Sequence, residues 1–369
     1  MAIYTSNNQV VDDPERKDWC TMRLANSADS KALTRIYKDV YKGTYTYKEY
    51  LDPEYLSKDI ESGHSNWYVV EDKTKNNEVC GCVSGTVDLK HWRAYSRGMM
   101  MRPDWQGRGG SSRIFGEAFQ DFLKYFEGKI RFLYSETRSA SIKPQAVCET
   151  IGLKPLGILP SKDVFFNTRE TPIVMGIYSS KAWDTRDTKV KLIPDLLPLK
   201  NVINKSFRAM KRDDLEVITP EIPSGIGKGL VDITPFKKKY GYTTYIFTCS
   251  KTGESLEIDV NKQCMNAEHM SIHCSKPKTL EALLTMAHRY FERKGINYME
   301  GYCPANKPGF QQAFVNSGFY PFGYMPAWEL ASNGKYVDNI IFGWSRFKID
   351  QSRLNLTTKS AKLAAAIFQ

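Results

Sequence analysis

At 369 residues the chain exceeds one ordinary compact core and predicts two domains. With 41% hydrophobic, 12% aromatic and 25% charged residues it is excluded from the disordered class, and no stretch approaches the roughly 18 apolar residues of a membrane-spanning helix. The net charge of +11 favours an anionic partner without choosing between nucleic acid, a membrane surface and a phosphorylated cofactor.

The N-terminal stretch Met1 to Asp13 is polar and has no apolar signal core, so the expected location is the cytoplasm. Strand-like and helix-like segments alternate from Trp19 to Tyr178. Thr21 to Leu24 reads as a strand, and Ser27 or Asp29 caps a helix running to about Tyr41. Asp52-Pro53 opens a second helix ending at Gly63. Trp67 to Val70 and Val79 to Val87 read as antiparallel strands, and Ala94 to Met101 as a longer one.

Pro103 stops that strand because it has no N–H for the ladder. Asp104 to Gly110 is a polar, glycine-bearing loop, and a helix follows it. Ile114, Phe115, Ala118, Phe119, Phe122, Leu123 and Phe126 form one apolar face at three- and four-residue spacing. Ile130 to Ser135 reads as a strand, Pro144 to Thr150 as a short helix and Pro172 to Tyr178 as a last strand. Lys181 to Lys200 carries charges, Pro194 and Pro198 without a sustained period, and is expected to be a linker.

The second half repeats the order of the first, which suggests tandem copies of one fold. Thr244 to Cys249 and Ser255 to Val260 pair as a hairpin, His269 to Cys274 is a strand and Leu280 to Lys294 a helix. Asn297 to Tyr302, Gly309 to Asn316 and Asn339 to Trp344 supply a strand, a helix and a closing strand. The expected boundaries are 15–180, a linker at 181–204, 205–348, and a tail at 349–369 that reads as a frayed helix.

The segment Met101-Arg102-Pro103-Asp104-Trp105-Gln106-Gly107-Arg108-Gly109-Gly110-Ser111-Ser112-Arg113 carries the chemistry. A strand, a glycine-rich turn and a helix start aim unpaired backbone N–H groups at one volume, which makes an anion site. Glycines let a diphosphate approach the backbone, and Arg108 and Arg113 add charge-assisted contacts. No Gly-Lys-Ser/Thr closes the loop, so it is not a P-loop, and no βαβ start precedes it, so it is not a dinucleotide fingerprint. A bare turn of this kind is equally compatible with an ordinary strand-to-helix connection.

Here the sequence resembles the GNAT superfamily of acetyltransferases, whose signature Gln/Arg-x-x-Gly-x-Gly/Ala follows the fourth strand. Gln106, Gly109 and Ser111 occupy the signature positions, with Ser111 departing from the usual Gly or Ala, and Pro103 stands three residues ahead. The element order over roughly residues 20 to 178 is the family's, and Ile151-Gly152-Leu153 stands where members carry a Gly-Phe after the fourth helix. In the second half Asn306 to Phe319 resembles that fourth helix and its Gly-Phe end. The corresponding loop, Ser275-Lys276-Pro277-Lys278-Thr279, has no glycine, so this half reads as a degenerate copy shaping the acceptor site or the interface.

The resemblance implies an α+β chain of two GNAT-like domains, each a mixed, mainly antiparallel sheet flanked by helices. It implies an N-acyltransferase that moves an acetyl or other short acyl group from acetyl-CoA to a primary amine by direct attack on the thioester. Met100, Met101, Gln106, Gly107, Arg108, Gly109, Gly110, Ser111, Ser112 and Arg113 would bind the coenzyme. The expected acceptor is a small-molecule or peptide amine, with no metal, membrane or nucleic-acid partner. A non-catalytic acyl-CoA-binding or regulatory protein is the other reading.

Many members use as acid a tyrosine four residues before the Gly of the Gly-Phe end. That position is Cys148 here, whose alternative is a buried structural thiol. Glu136, at the end of the fifth strand, is the candidate base, or else a strand-end carboxylate paired with Arg138. Tyr134 shares its side by period-2 alternation and is a second acid candidate. His91, in the loop before the fourth strand, is either a substrate contact or a surface or core residue. Tyr41, Tyr45, Tyr47 and Tyr50 line a pocket or fill a core. Cys80, Cys82, His269, His273 and Cys274 lack finger spacing and are not expected to bind zinc. Gly225 to Gly229 reads as an interdomain turn.

Overall fold

The computed structural model describes residues 19–108, 111–222 and 231–368. In chain order the first half comprises β1 Cys20–Leu24, α1 Ser30–Tyr41, α2 Pro53–Ser62, β2 Ser65–Asp72, β3 Glu78–Asp88, β4 Arg93–Met101 and α3 Ser111–Tyr125. It continues through β5 Phe132–Thr137, α4 Lys143–Thr150, β6 Lys154–Ile158, the small hairpin β7 Asp163–Phe165 and β8 Thr168–Glu170, and β9 Ile173–Tyr178. Then come α5 Ser180–Asp184, β10 Lys189–Leu192, α6 Leu197–Ser206 and β11 Asp214–Val217. The rest is β12 Val231–Lys237, β13 Tyr242–Cys249, β14 Ser255–Asn261, β15 Asn266–His273, α7 Pro277–Arg293, β16 Tyr298–Pro304, α8 Pro308–Asn316, β17 Tyr320–Leu330, β18 Tyr336–Ser345 and α9 Thr358–Ile367.

The two sheets expected from the sequence run on into one. Its 14 strands follow the order β1-β2-β3-β4-β5-β9-β6-β17-β18-β16-β15-β14-β13-β12. Read inward from either edge the halves have the same plan. The fourth and fifth strands, β4 with β5 and β15 with β16, are parallel, and the other neighbours are antiparallel. In each half the last strand of the plan slots between the fifth and the sixth.

The halves meet where Gly157 of β6 pairs with Gly323 of β17. A Cβ on Gly323 would lie 2.8 Å from the Gly157 Cα and 3.0 Å from the Leu156 carbonyl oxygen, so glycine is required there by close backbone approach. Gly323→Ala is accordingly expected to cost about 1–3 kcal/mol through forced strand separation. Urea unfolding reads this directly, and an unchanged midpoint would show that the seam tolerates a methyl group.

Helix α3 buries Ile114, Phe115, Ala118, Phe119, Phe122 and Phe126 against β1 to β5, the face its spacing predicts. In the second half Leu280, Leu283, Leu284, Ala287 and Phe291 of α7 do the same.

The expected linker at 181–204 is instead packed structure: α5, β10 and most of α6 lie in it, and Val190, Leu192, Ile193, Leu196, Leu199 and Ile203 are buried. Pro194 and Pro198 sit in the first positions of a short 3-10 turn and of α6, where a missing N–H costs nothing. They start these elements rather than break them. The tail also docks. Thr357 caps α9 by accepting from the Ser360 N–H, its hydroxyl donates to Glu149 at 2.5 Å, and Leu363 is fully buried. The Gly225 to Gly229 turn lies outside the described residues. Among the described residues no helix is long and apolar enough to cross a membrane.

Candidate active site

Strand β4 pairs in parallel with β5 only from Arg93 to Ser96, against Phe132 to Ser135. Beyond Ser96 it stays hydrogen-bonded to β3, through a register shift between Cys82 and Ser84, while its β5-facing edge has no strand partner among the described residues. Gly98 sits at this bulge with φ of 67°, and a Cβ there would strike the Tyr37 hydroxyl at 2.4 Å. The bulge therefore depends on glycine both for its backbone angle and for space. The result is a V-shaped gap between β4 and β5.

At the far end of β4 the polypeptide turns sharply. Arg102 is clamped by Asp39 at 2.9 Å and Glu78 at 2.6 Å, and Trp105 Nε1 donates to Asp72 at 2.7 Å. Gln106 Nε2 donates to the Met101 carbonyl at 2.8 Å, which latches the turn onto the end of the strand. Gly107 adopts φ of 78° with open space where a Cβ would stand. Arg108 reaches Asp72 at 3.4 Å and lies over the rings of Trp19 and Trp105.

Of the other expected coenzyme contacts, Gly109 and Gly110 lie outside the described residues. Ser111 and Ser112 open α3, whereas Arg113 Nη1 bonds Glu117 one turn along the helix at 2.6 Å. Met100 and Met101 are buried, their side chains packed into different clusters of the core.

A cavity of about 620 Å³ lies between the two halves, within the size range of small-molecule sites. Tyr95 and Arg97 of β4 and Tyr134 and Glu136 of β5 form one wall; Glu268 and His269 of β15 and Glu300 and Tyr302 of β16 form the opposite one. Parallel pairing ends at Ser96–Ser135 in the first half and at Ala267–Met299 in the second. The next residues on these strands are Arg97 and Glu136, and Glu268 and Glu300. All four line the cavity.

Lys162, in the loop between β6 and β7, stands among these carboxylates. Its Nζ lies 2.9 Å from Glu136, 3.1 Å from Glu300 and 3.6 Å from Glu268, with the lysine side chain 4% exposed. Burial works to lower the Lys162 pKa, but the three carboxylates outweigh it and hold it well above its ordinary value. One cation cannot serve three anions equally: burial pushes Glu300 up, while Lys162 overcomes burial at Glu268 and holds it down. The Tyr298 hydroxyl donates to Glu300 at 2.7 Å, and the Asn266 amide donates to Glu268 at 2.9 Å.

Next to this cluster, burial and the neighbouring Glu136 push the Asp163 carboxyl up to about 7, against the opposing pull of Lys162 and the hydroxyl of Tyr47 at 3.1 Å. A carboxyl pKa raised above its unfolded value adds stability fully below the unfolded pKa and loses it as pH climbs towards 7. Asp163→Asn should therefore leave the melting temperature little changed near pH 4 and raise it at pH 8, by at most about 2–4 kcal/mol in stability. Equal shifts at both pH values would show that Asp163 is already charged across the range.

Tyr134 and Glu136 thus come together in the cavity as the strand alternation predicts. Glu136 pairs with Lys162; Arg138 is taken by Glu170 at 2.8 Å. Burial, against the pull of Arg93, pushes the Tyr134 phenol up to about 12. Cys148 is elsewhere. It is 1% exposed in the core beside Leu153, with burial pushing its thiol up to about 12, and is not among the cavity-lining residues. His91 bonds Asp88 at 2.7 Å in the turn before β4 and does not line the cavity. Tyr47 and Tyr50 line it, while Tyr41 and Tyr45 pack in the core beneath.

Lys162, Asp163, Glu268, Glu300, Tyr95 and Arg97 were not singled out from the sequence. One signal was present: Tyr298-Met299-Glu300 repeats, on the equivalent strand, the Tyr134-Ser135-Glu136 pattern. Lys162 had no such signal, because its partners come from distant segments.

No family model and no curated protein matches the chain. Among solved structures, a ribosomal-protein-S5-alanine acetyltransferase from Vibrio fischeri aligns at 14% identity and a TM-score of 0.38, over 44% of this chain and 94% of its own. A spermidine N-acetyltransferase variant from Vibrio cholerae aligns at 18% identity and a TM-score of 0.38, over 44% and 95% of the two chains. A ribosomal L7/L12 α-N-protein acetyltransferase in complex with coenzyme A aligns at 16% and 0.36, over 44% and 94%.

Proposed function

We propose that the chain is an acyl-CoA-dependent N-acyltransferase of GNAT type, built as two copies of that fold of which the first binds the coenzyme. The observation that carries this reading is the parting of β4 from β5 after Ser96, with a glycine-bearing turn at one end and a tyrosine- and carboxylate-lined cavity alongside. The free edge of β4 offers backbone groups to an extended pantetheine arm, and the turn at Gln106 to Arg108 together with the start of α3 offers N–H donors to the diphosphate. Open space at Gly107 fits such an approach. In the second half the equivalent helix α7 opens at Pro277, which lacks a donor, so one coenzyme per chain is the expected stoichiometry.

In this reaction the acceptor nitrogen attacks the thioester carbonyl carbon; a C–N bond forms and the C–S bond breaks. Glu136 takes the proton lost by the amine, and Tyr134 gives one to the departing thiolate. Cys148, lying in the core, has no part in this scheme. Mixing the protein with acetyl-CoA and a panel of primary amines, and following thiol release, tests the proposal. Coenzyme binding without release on any amine would make the chain an acyl-CoA-binding protein without transferase activity, and no binding at all would remove both readings.

A further inference from the structure

Parallel strands in register present paired residues on the same face, and residues two apart share that face. Tyr95 and Tyr134 form such a pair, with ring centroids 4.9 Å apart. Two residues further along each strand stand Arg97 and Glu136, one on either lip of the gap where β4 and β5 part. Both line the cavity. They are opposite charges on facing positions, yet they do not pair with each other.

Glu136 turns one oxygen, Oε1, to Lys162, and its Oε2 has no hydrogen bond among the described residues. Arg97 belongs to no ion pair among the described residues. Its guanidinium lies over the rings of Tyr50 at 4.7 Å, Tyr95 at 5.1 Å and Tyr47 at 5.2 Å. The guanidinium is half-buried at the cavity wall, stacked on aromatic faces that attract its charge without using its N–H donors. Its fork is therefore available to a planar anion entering the cavity.

We propose that Arg97 is a specificity-determining residue that binds the carboxylate of the acceptor, so that the substrate is a primary amine carrying a carboxylate within a few bonds, of the α-amino-acid class. The proposal rests on the transferase reading. The ammonium end lies towards Glu136, backed by Glu268 and Glu300, and the carboxylate end lies against the planar fork of Arg97, which donates to both of its oxygens. The tyrosines hold that fork in place. A lone amine leaves Arg97 without its anion, and a substrate amide offers it no charge.

The test compares acceptors that differ only in the carboxylate: alanine against ethylamine and alaninamide, and phenylalanine against phenethylamine, each with acetyl-CoA and thiol release. The wild type should prefer each amino acid to its decarboxylated partner by tenfold or more in kcat/KM. In Arg97→Gln that ratio should fall below about twofold, with the KM for acetyl-CoA unchanged, and Arg97→Lys should keep an intermediate ratio because a point charge replaces the fork. The intrinsic reactivities of the paired amines are the same for every variant, so the change in ratio reports Arg97 alone. Equal use of both members of a pair by the wild type, or a ratio that survives in a folded Arg97→Gln, overturns the proposal. If Arg97→Gln does not fold, the wild-type ratio and Arg97→Lys decide. If no acceptor releases thiol, the transferase reading fails separately, and calorimetric titration of alanine and ethylamine into the protein still decides: binding of alanine alone supports anion recognition, and binding of both or neither refutes it.

Discussion

Glu136→Gln should lower kcat by about 10²- to 10³-fold at neutral pH, in the range seen when a positioned general base is removed. The exchange keeps the side-chain volume and leaves Lys162 with Glu268 and Glu300, at 3.6 Å and 3.1 Å, so the fold should persist with a similar melting temperature. The KM for acetyl-CoA should be unchanged, because the turn from Gln106 onward is latched through Met101 and Asp72 and not through Glu136. Two protons must leave when the acceptor arrives as an ammonium, one before attack and one as the C–N bond forms, and only the second when it arrives as the free amine. The part of the deficit that comes from the first deprotonation should therefore shrink as pH rises towards the pKa of the acceptor. A variant within threefold of the wild type at neutral pH and saturating amine would remove Glu136 from the mechanism, and a deficit constant with pH would show that it does not deprotonate the ammonium form.

Much of the frame around this residue was legible. Pro103 marked the end of β4, the spacing of Ile114 to Phe126 gave the buried face of α3, and alternation put Tyr134 and Glu136 together. Each rests on local periodicity or on a residue with one dominant backbone effect. The segment from Lys181 to Lys200 was misread for the same reason in reverse: its two prolines look like breakers until their positions within helices are known. The cavity's far wall was partly legible, since the second half was expected to repeat the first and Tyr298-Met299-Glu300 falls on its fifth strand. The pairing of Lys162 with Glu300, and of β6 with β17 through two glycines, depends on chain segments far apart in sequence. No local pattern encodes such contacts, and a Lys-Asp step after an apolar run reads as the start of a surface loop.

That Lys162 is buried rather than solvated leads to the largest expected change in stability. Lys162→Met would leave Glu136, Glu268 and Glu300 lining the cavity without their shared cation, with side-chain exposures of only 14%, 10% and 5%. Breaking a buried charge cluster by removing one partner costs about 3–5 kcal/mol, since the remaining charges stay desolvated and repel one another. The loss should depend on pH in a defined direction. Without Lys162, burial and mutual repulsion raise the carboxyl pKa values above those of the unfolded chain, so the variant is least impaired where these groups are protonated and loses stability as pH climbs. Urea unfolding at pH 5 and pH 8 should accordingly show a larger deficit at pH 8. Adding Glu300→Gln, at the carboxyl that burial already pushes up, should recover part of it. A deficit identical at the two pH values, untouched by Glu300→Gln, would mean that Lys162 fills space between the halves and does not hold the carboxylates together.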